Sequence, residues 1–290
     1  MDLDFLPLLD RRFGGAESPV WDDRRECLFF VDMGAPAVHS VRLDGSDLRT
    51  WKLPALGGSV GLGESGRLVV AQPHSLLVLD PDTGGLEPLA DVPGEPETNR
   101  LNDGKVGPDG AFWVGSMDTR PERQPVGSLY RVDGKGRVER VIDGGIMVSN
   151  GLAWTADGRT MFHSDSRGQW IDRYAFDPDT GAISDRTRIA TVAEADGRPD
   201  GGACDAEGTY WSAGVSAGRL NRWSRDGRLL ASCPVPVPAP SMPCFCGDGL
   251  GTIVLTSLNP PDHAGKAHSG KLVVAAAPVA GAAVGRWADA

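Results

Sequence analysis

A short phrase recurs six times along the chain and limits the folds that the chain can adopt. The phrase is an acidic or small residue, a glycine, a short gap and an apolar, β-prone run, as in Asp109-Gly110 before Phe112-Trp113-Val114. Its copies lie at residues 23, 66, 110, 158, 208 and 249, although the first copy, Asp23-Arg24-Arg25, lacks the glycine. A period of about 40–50 residues is typical of β-propeller blades.

A second phrase lies between these copies and predicts further strands. Residues 76–79 (LLVL) run into 80–84 (DPDTG), and residues 171–176 (IDRYAF) run into 177–181 (DPDTG). Asp and Gly supply the backbone conformations that tight hairpin turns need. Six units of about four short antiparallel strands would fill the chain. We therefore expect an all-β protein in which residues 1–290 form a single six-bladed β-propeller domain.

Composition argues against several classes of partner. The 290 residues carry a formal net charge of −10, which disfavours nucleic acid and anionic membranes. No stretch approaches the ~20 apolar residues of a spanning helix, and Met1-Asp2-Leu3-Asp4 lacks the basic and apolar regions of a secretory signal. The cysteines lack the paired spacing of a disulfide framework: they are Cys27, Cys204, Cys233, Cys244 and Cys246. We expect a cytoplasmic protein that is a monomer or a weak homo-oligomer.

Polar residues occupy the same position before several of the acidic-Gly turns. Asn102, Asn150 and Asp200 each lie eight residues before the turn glycine, and Glu17 lies six residues before Asp23. Equivalent positions on the innermost strands of a propeller should meet at one end of the central channel. Buried carboxylates need a partner or a metal, and a Glu, an Asn and an Asp together suit a divalent cation that prefers oxygen. Alternatively, each is an ordinary turn residue.

The phrases around these residues resemble the regucalcin/gluconolactonase family, also called the senescence-marker-protein family. They are spread from the first unit to the fifth, so the likeness covers nearly the whole chain. The matching segments are 17–22 (ESPVWD), 100–105 (RLNDGK), 112–117 (FWVGSM), 149–154 (SNGLAW), 199–201 (PDG) and 205–208 (DAEG).

This resemblance implies a six-bladed propeller that hydrolyses a small sugar lactone and holds one divalent cation in its channel. Matched residue by residue, the implied metal ligands are Glu17, Asn150 and Asp200. Arg100 and Asn102 match the residues that hold the substrate, and Asp103 follows in the same motif and would help to position the metal's water. Ca²⁺, Mg²⁺, Mn²⁺, Fe²⁺ and Zn²⁺ all accept oxygen ligands, so the cation's identity stays open.

One departure from the family's pattern affects the substrate. Some relatives place a Glu that binds sugar hydroxyls shortly after a Gly-Thr-Met phrase. Here the phrase is Gly115-Ser116-Met117, and counting places Arg120 where the Glu would be. A basic side chain there would favour another hydroxyl pattern or an acidic substrate.

Lactone hydrolysis is acyl transfer to water, so a carbonyl must be polarised and a water deprotonated. Asp200 is the candidate general base, because a carboxylate beside the cation can take that proton. Alternatively, the cation alone lowers the pKa of its water sufficiently. We do not expect a serine mechanism, and we interpret His163 as a core residue and Asp165 as a turn residue. A metal-dependent phosphotriesterase or arylesterase and a non-catalytic calcium-binding propeller remain alternatives.

Overall fold

The computed structural model describes residues 3–290 and is built from six four-stranded antiparallel sheets. Met1 and Asp2, on which part of the localisation prediction rests, lie outside the described residues. The strands, in chain order, are β1 (Leu6–Pro7), β2 (Ala16–Asp22), β3 (Cys27–Asp32), β4 (Ala37–Val41), β5 (Arg49–Lys52), β6 (Ser59–Leu62), β7 (Leu68–Ala71), β8 (Ser75–Leu79), β9 (Leu86–Asp91), β10 (Asn99–Val106), β11 (Phe112–Asp118), β12 (Gly127–Val132), β13 (Val138–Ile146), β14 (Ser149–Trp154), β15 (Thr160–Asp165), β16 (Trp170–Phe176), β17 (Ile183–Thr191), β18 (Pro199–Cys204), β19 (Tyr210–Gly214), β20 (Arg219–Trp223), β21 (Leu229–Pro234), β22 (Pro240–Cys246), β23 (Thr252–Ser257) and β24 (Val273–Ala276).

Helical structure within residues 3–290 is confined to three short 3₁₀ turns, at Glu194–Asp196, Asp248–Leu250 and Pro261–His263. None of the helices in this part of the chain has the length and apolar character needed to cross a membrane.

Each sheet is one blade, and the prediction of a six-bladed β-propeller is confirmed. Five blades are formed by consecutive strands, β2–β5, β6–β9, β10–β13, β14–β17 and β18–β21. The sixth blade combines β22, β23 and β24 with the N-terminal strand β1, where Leu6 pairs with Val274 and Pro7 with Val273. The innermost strands of neighbouring blades contact each other, including β22 with β2, so the ring is closed.

The recurrent turn phrase lies between the first and second strands of each blade. Its glycines have left-handed backbones, with φ of 70° at Gly110, 68° at Gly158 and 75° at Gly208. Glycine adopts this conformation without the steric cost of a side chain. The first copy lacks the glycine, and Glu26 has a φ of 51° in that turn. The recurrent glycines therefore follow from the geometry of the hairpin. The exception is the first turn, where Glu26 adopts the left-handed conformation despite its side chain.

Apolar side chains pack between neighbouring blades and form the core. Trp113 of the third blade contacts Trp154 and Phe176 of the fourth, with ring centroids 6.1 and 5.6 Å apart. Trp211 likewise packs edge-on against Phe245 of the sixth blade. Aromatic side chains bury large areas, so these contacts hold adjacent blades in register. The five cysteines are all buried, as small apolar side chains would be.

The C-terminal segment, residues 277–290, crosses the ends of several blades on one side of the ring. The Ala282 amide donates to Cys204 O at 2.9 Å, and the Trp287 amide donates to Leu62 O at 2.7 Å. The Trp287 side chain is only 1% exposed. The segment therefore covers the side on which the innermost strands end and leaves the opposite side, where they begin, for a site.

Candidate active site

A cavity of about 220 Å³ lies where the innermost strands begin. The structure brings five of the sequence-predicted residues to its wall: Glu17, Arg100, Asn102, Asn150 and Asp200. They belong to β2, β10, β14 and β18, the first strands of four different blades. Asn102, Asn150 and Asp200 share one offset from their turns. They meet because each blade repeats the same strand at the same distance from the channel axis.

Each of these four strands breaks its pairing register beside the cavity. The breaks fall between Glu17 and Val20, Leu101 and Gly104, Asn150 and Ala153, and Pro199 and Gly202. A β-bulge changes the direction of side chains that would otherwise alternate between the two faces of the strand. Gly151 lies in one of them with a φ of 69°, and a Cβ there would collide with the Tyr210 hydroxyl. The repeated irregularity turns polar side chains toward the cavity.

The amide of Asn150 is held in one orientation. Its Nδ2 donates to Ser166 Oγ at 2.7 Å, and that hydroxyl donates to the Pro199 carbonyl at 2.6 Å. Because the Ser166 proton is used on Pro199, the hydroxyl can only accept from the side-chain amide, which assigns nitrogen rather than oxygen to this position. Asn150 Oδ1 remains as the atom available to a ligand.

Arg100 and Asn102 form one hydrogen-bonded unit. Arg100 Nη1 donates to Asn102 Oδ1 at 2.8 Å and to Leu101 O at 2.9 Å. Asn102 Nδ2 donates to Ser149 O at 2.9 Å and makes a longer contact of 3.3 Å with Asn150 Oδ1. The unit links the third blade to the fourth and leaves the remaining guanidinium N–H groups free to face the cavity.

The carboxyl groups of Glu17 and Asp200 have strongly raised pKa values. Burial is the main cause of the raised pKa at both carboxyl groups. Repulsion from Asp200 and Asp103 raises the pKa of Glu17 further. Repulsion from Asp103 likewise adds to the effect of burial at Asp200, whose pKa is raised to about 8. Arg100 opposes the shift at both carboxyl groups, and Arg198 opposes it at Asp200. Burial disfavours a charged carboxylate unless a cation or donors compensate.

These groups suit an oxygen-preferring divalent cation. Two carboxylates that repel each other and one oriented amide oxygen form a hard donor set. No His or Cys contributes to the cavity wall, which disfavours a soft site. Within residues 3–290 no three His, Cys, Asp or Glu side chains cluster closely enough to hold a metal by themselves. An amide oxygen would have to complete the set, as the sequence predicts for Asn150.

Asp103 lies outside the cavity wall and is 5% exposed. Its Oδ2 accepts from the Leu152 amide at 3.3 Å, whereas Oδ1 is buried without a hydrogen-bond partner. Burial raises its pKa, and the charge of Lys105 opposes that shift. Lys105 Nζ in turn donates to Gly202 O at 2.5 Å. Asp103 and Lys105 are thus two buried ionisable groups that influence each other without a direct ion pair, and Asp103 also acts on Glu17 and Asp200 through its charge.

Arg120 is not among the residues that line the cavity. Its Nε pairs with both oxygens of Asp118, at 2.9 and 3.0 Å. Arg123, three residues further, lines the cavity instead. Asp118 also accepts from the Gln124 amide at 2.6 Å, so this carboxylate organises the whole loop and draws Arg120 toward itself. Counting along the sequence could not anticipate that fold of the loop.

Four further cavity residues were missed from the sequence: Arg123, Ser166, Arg167 and Arg198. One of them had a usable signal, because Arg198 precedes Asp200 by two residues just as Arg100 precedes Asn102. Arg123 lies in the connection that follows β11, and Ser166 and Arg167 lie in the one that follows β15. These connections vary between blades, so the repeat carries no information about them.

His163 and Asp165 have structural surroundings. His163 is completely buried, its Nε2 lies 2.8 Å from Ser149 Oγ, and burial lowers its pKa to about 4. Asp165 accepts from the backbone amides of Met147, Val148 and Arg167, at 2.7, 3.1 and 2.9 Å. The first residue is a neutral core side chain, and the second fixes the backbone on either side of the cavity.

Comparisons with known proteins identify the family of this chain. A family model described as SMP-30/gluconolactonase/LRE-like region matches residues 15–259. The chain is 39% identical over 244 residues to a 6-deoxy-6-sulfogluconolactonase from Pseudomonas putida. The match covers 83% of this chain and 82% of the relative. The chain is 32% identical over 247 residues to regucalcin from Xenopus laevis, again covering 83% of this chain and 82% of the relative.

Solved structures share the whole architecture. A calcium-binding protein, regucalcin, from Agrobacterium tumefaciens superposes with a TM-score of 0.90 at 23% identity, covering 99% of this chain and 98% of that one. A luciferin-regenerating enzyme superposes with a TM-score of 0.87 at 26% identity, covering 99% of both chains. The extent of the family match and the identity to the curated relatives lead to one conclusion: the chain belongs to the SMP-30/gluconolactonase/LRE-like family.

Proposed function

We propose that this protein is a metal-dependent lactonase that hydrolyses a sugar lactone, an aldonolactone of the pentose or hexose series, to the sugar acid. The observation that supports this proposal best is the meeting of a half-buried carboxylate (Glu17), a buried carboxylate (Asp200), one oriented amide oxygen and an Arg–Asn unit in one small cavity. Sites for drug-sized ligands occupy about 300–1,000 Å³. A cavity of about 220 Å³ suits a single sugar-sized molecule.

Glu17, Asn150 and Asp200 would hold the divalent cation. When bound, the cation supplies Lewis-acid polarisation of the lactone carbonyl. Its charge would also offset the repulsion between Glu17 and Asp200. Among the residues that the structure describes, no cationic side chain of the cavity forms a direct ion pair with either carboxylate. The Ser166 hydroxyl would keep the amide oxygen of Asn150 directed at the cation.

Asp200 is proposed as the general base. It would take a proton from the attacking water as the water oxygen bonds to the carbonyl carbon. The bond between that carbon and the ring oxygen then breaks, and the ring oxygen leaves as a hydroxyl after receiving that proton from Asp200. A carboxylate at 6% exposure beside the cavity is shielded from bulk solvent and close to the reacting centre, as a general base must be.

Arg100 and Asn102 are proposed to orient the substrate. Their mutual hydrogen bond fixes both side chains before substrate arrives, which reduces the entropy lost on binding. Asp103 would act indirectly, since its buried charge influences both carboxylates. Arg120 would contact substrate only if the loop anchored by Asp118 moved, because that pair holds it outside the cavity.

The names of the relatives narrow the proposal further. The relative from Pseudomonas putida is named for a sulfonated gluconolactone, so a hexonolactone is the first substrate to test. The regucalcin relatives favour calcium among the candidate cations. A cytoplasmic location, a monomeric or weakly associated state and a single domain spanning residues 1–290 remain part of the proposal.

A substrate panel tests this function. Purified protein loaded with Ca²⁺, Mn²⁺ or Zn²⁺ would be given aldonolactones, paraoxon and phenyl acetate. We expect turnover of at least one aldonolactone and loss of it in Glu17→Gln, with Glu97→Gln, an exposed Glu elsewhere, as the matched control. Turnover of paraoxon or phenyl acetate alone would make the protein a phosphotriesterase or arylesterase. Absence of all turnover with metal bound would leave a non-catalytic calcium-binding propeller.

A further inference from the structure

The cavity wall carries more positive charge than the proposed reaction uses. Four arginines line it: Arg100, Arg123, Arg167 and Arg198. Arg100 is joined to Asn102, and no carboxylate lies within 4.0 Å of the other three side chains among the described residues. Most arginines elsewhere are in ion pairs, as Arg131 is with Asp109 at 2.7 Å. The three extra guanidinium groups therefore have no carboxylate partner at the wall of the cavity that holds the candidate site.

Hydrogen bonds anchor each of these three arginines, through the side chain of Arg123 and the main chain of Arg167 and Arg198. Arg123 Nη1 donates to the carbonyls of Asp118 and Arg120, at 2.5 and 2.9 Å, which leaves its other N–H groups without an anionic partner. The Arg167 amide donates to Asp165 Oδ1 at 2.9 Å. The Arg198 amide donates to Ser216 Oγ at 2.9 Å. The three anchored residues belong to three different blades and line one cavity.

Arg123 and Arg167 are close enough to repel each other. Burial lowers the pKa of Arg123, the charge of Arg167 lowers it further, and Asp118 only partly opposes the change. Arg123 also acts unfavourably on Arg100. Like charges gathered in a partly desolvated cavity raise the free energy of the empty site, and an anion bound between them would remove that cost.

Resting on the lactonase proposal, we infer that Arg123 and Arg167, with Arg198 beside Asp200, form a subsite for an anionic substituent of the lactone. Guanidinium groups match sulfonate, phosphate and carboxylate oxygens with paired hydrogen bonds. The cavity is small, so the anion and the ring held by Arg100 and Asn102 belong to one molecule. The substrate class is thus an aldonolactone with a charged group at the end of its carbon chain.

The test compares a neutral lactone with its charged counterparts. The measured quantity is kcat/KM for glucono-δ-lactone and for the same lactone with a sulfonate, a phosphate or a carboxylate at C6. We expect the best charged lactone to exceed the neutral one by about 10- to 100-fold, the worth of one or two charge-assisted hydrogen bonds. The ranking among the three charged lactones identifies the natural group. Added salt should weaken only the charged substrates, because it screens exposed charge.

Variants assign the effect to the proposed residues. Arg123→Gln and Arg167→Gln should lower kcat/KM for the best charged lactone by about tenfold or more, while the neutral lactone changes by less than about twofold. Arg167→Lys should give an intermediate loss, since it keeps the charge without the paired geometry. The control is Arg228→Gln, which removes an exposed arginine of the fifth blade far from the cavity. Melting curves would verify that each variant is folded.

The outcomes separate this inference from the proposed function. If neutral and charged lactones are hydrolysed equally well and the variants affect them equally, the anion subsite is wrong but the lactonase stands. If no lactone is hydrolysed, the proposed function itself fails. If charged lactones are preferred but neither arginine variant changes that preference, the subsite lies elsewhere and the assignment is overturned.

Discussion

Ser166 holds Asn150 in the orientation that a metal ligand needs. The Ser166 hydroxyl accepts from Asn150 Nδ2 at 2.7 Å and donates to the Pro199 carbonyl at 2.6 Å, so it joins the fourth blade to the strand that carries Asp200. A cavity side chain that is not itself a proposed metal ligand thereby fixes the relation between two proposed metal ligands.

Removing this hydroxyl should weaken metal binding. Partners that orient metal ligands contribute about 10- to 100-fold in affinity, so Ser166→Ala should raise the Kd of the cation within that range, measured by calorimetry. Ser166→Thr keeps the hydroxyl and should bind nearly as well as the wild type. Ser224→Ala, which removes a hydroxyl that accepts from the Arg228 amide in a remote turn, is the control. An unchanged Kd in Ser166→Ala would show that the amide needs no such anchor.

Asp200→Asn should separate proton transfer from metal binding. The substitution keeps an oxygen that can coordinate but removes the basic group, so kcat should fall about 10²- to 10⁴-fold, the usual contribution of a general base. Metal affinity should fall less, because Glu17 and Asn150 remain. The check is kcat against pH for both proteins, each saturated with two different metals. A mutant within about tenfold of wild type would remove Asp200 from the base role.

The raised carboxyl pKa values predict how the metal-free protein responds to pH. Asp200 has a folded pKa of about 8, above its unfolded value, and that of Glu17 is also raised. Because the folded state binds the proton more tightly, the stabilisation is present at low pH and is lost as pH rises through the folded pKa. The melting temperature of metal-free wild type, relative to Asp200→Asn, should therefore fall from about pH 4 to about pH 8 and change little above that.

Saturating metal should abolish that fall, since the cation favours the charged carboxylates. Metal affinity should accordingly rise with pH over the same interval, with protons released on binding. Calorimetry in buffers of different ionisation enthalpy would count those protons. If affinity does not depend on pH and no proton is released, Glu17 and Asp200 are already charged in the metal-free protein and the proposed coupling is wrong.

Arg100 and Asn102 should affect substrate rather than metal. Each alanine variant should lower kcat/KM about 10- to 100-fold through loss of charge-assisted or buried hydrogen bonds. Metal content, measured by elemental analysis, should stay near one per chain in both. Loss of metal in Asn102→Ala would mean that its 3.3 Å contact with Asn150 Oδ1 matters more for the cation than for the lactone.

The sequence predicted the blades and part of the cavity because both follow the repeat. Glu17, Asn102, Asn150 and Asp200 lie at equivalent points of repeated strands, so their meeting follows from the fold. The closure of the ring by β1 could not be predicted, because a two-residue strand has no pattern and its partner lies at the other end of the chain.

The sequence repeat could not predict the arginine-rich part of the cavity either. Arg123 and Arg167 reach it from loops whose shapes depend on Asp118 and Asp165, each of which accepts several backbone amides. The prediction for Arg120 shows the difficulty: three residues separate it from the arginine that lines the cavity, and only the Asp118 pair explains which one points inward.

A crystal structure of the protein loaded with Mn²⁺, with the cation located by its anomalous scattering, tests the proposed centre most directly. We expect one peak in the cavity, with Glu17, Asn150 Oδ1 and Asp200 each at about 2.0–2.6 Å from it. Asn150 should still donate to Ser166 in that structure. A cation bound elsewhere, or one that lacks any of these three ligands, would contradict the proposed metal site and the mechanism built on it.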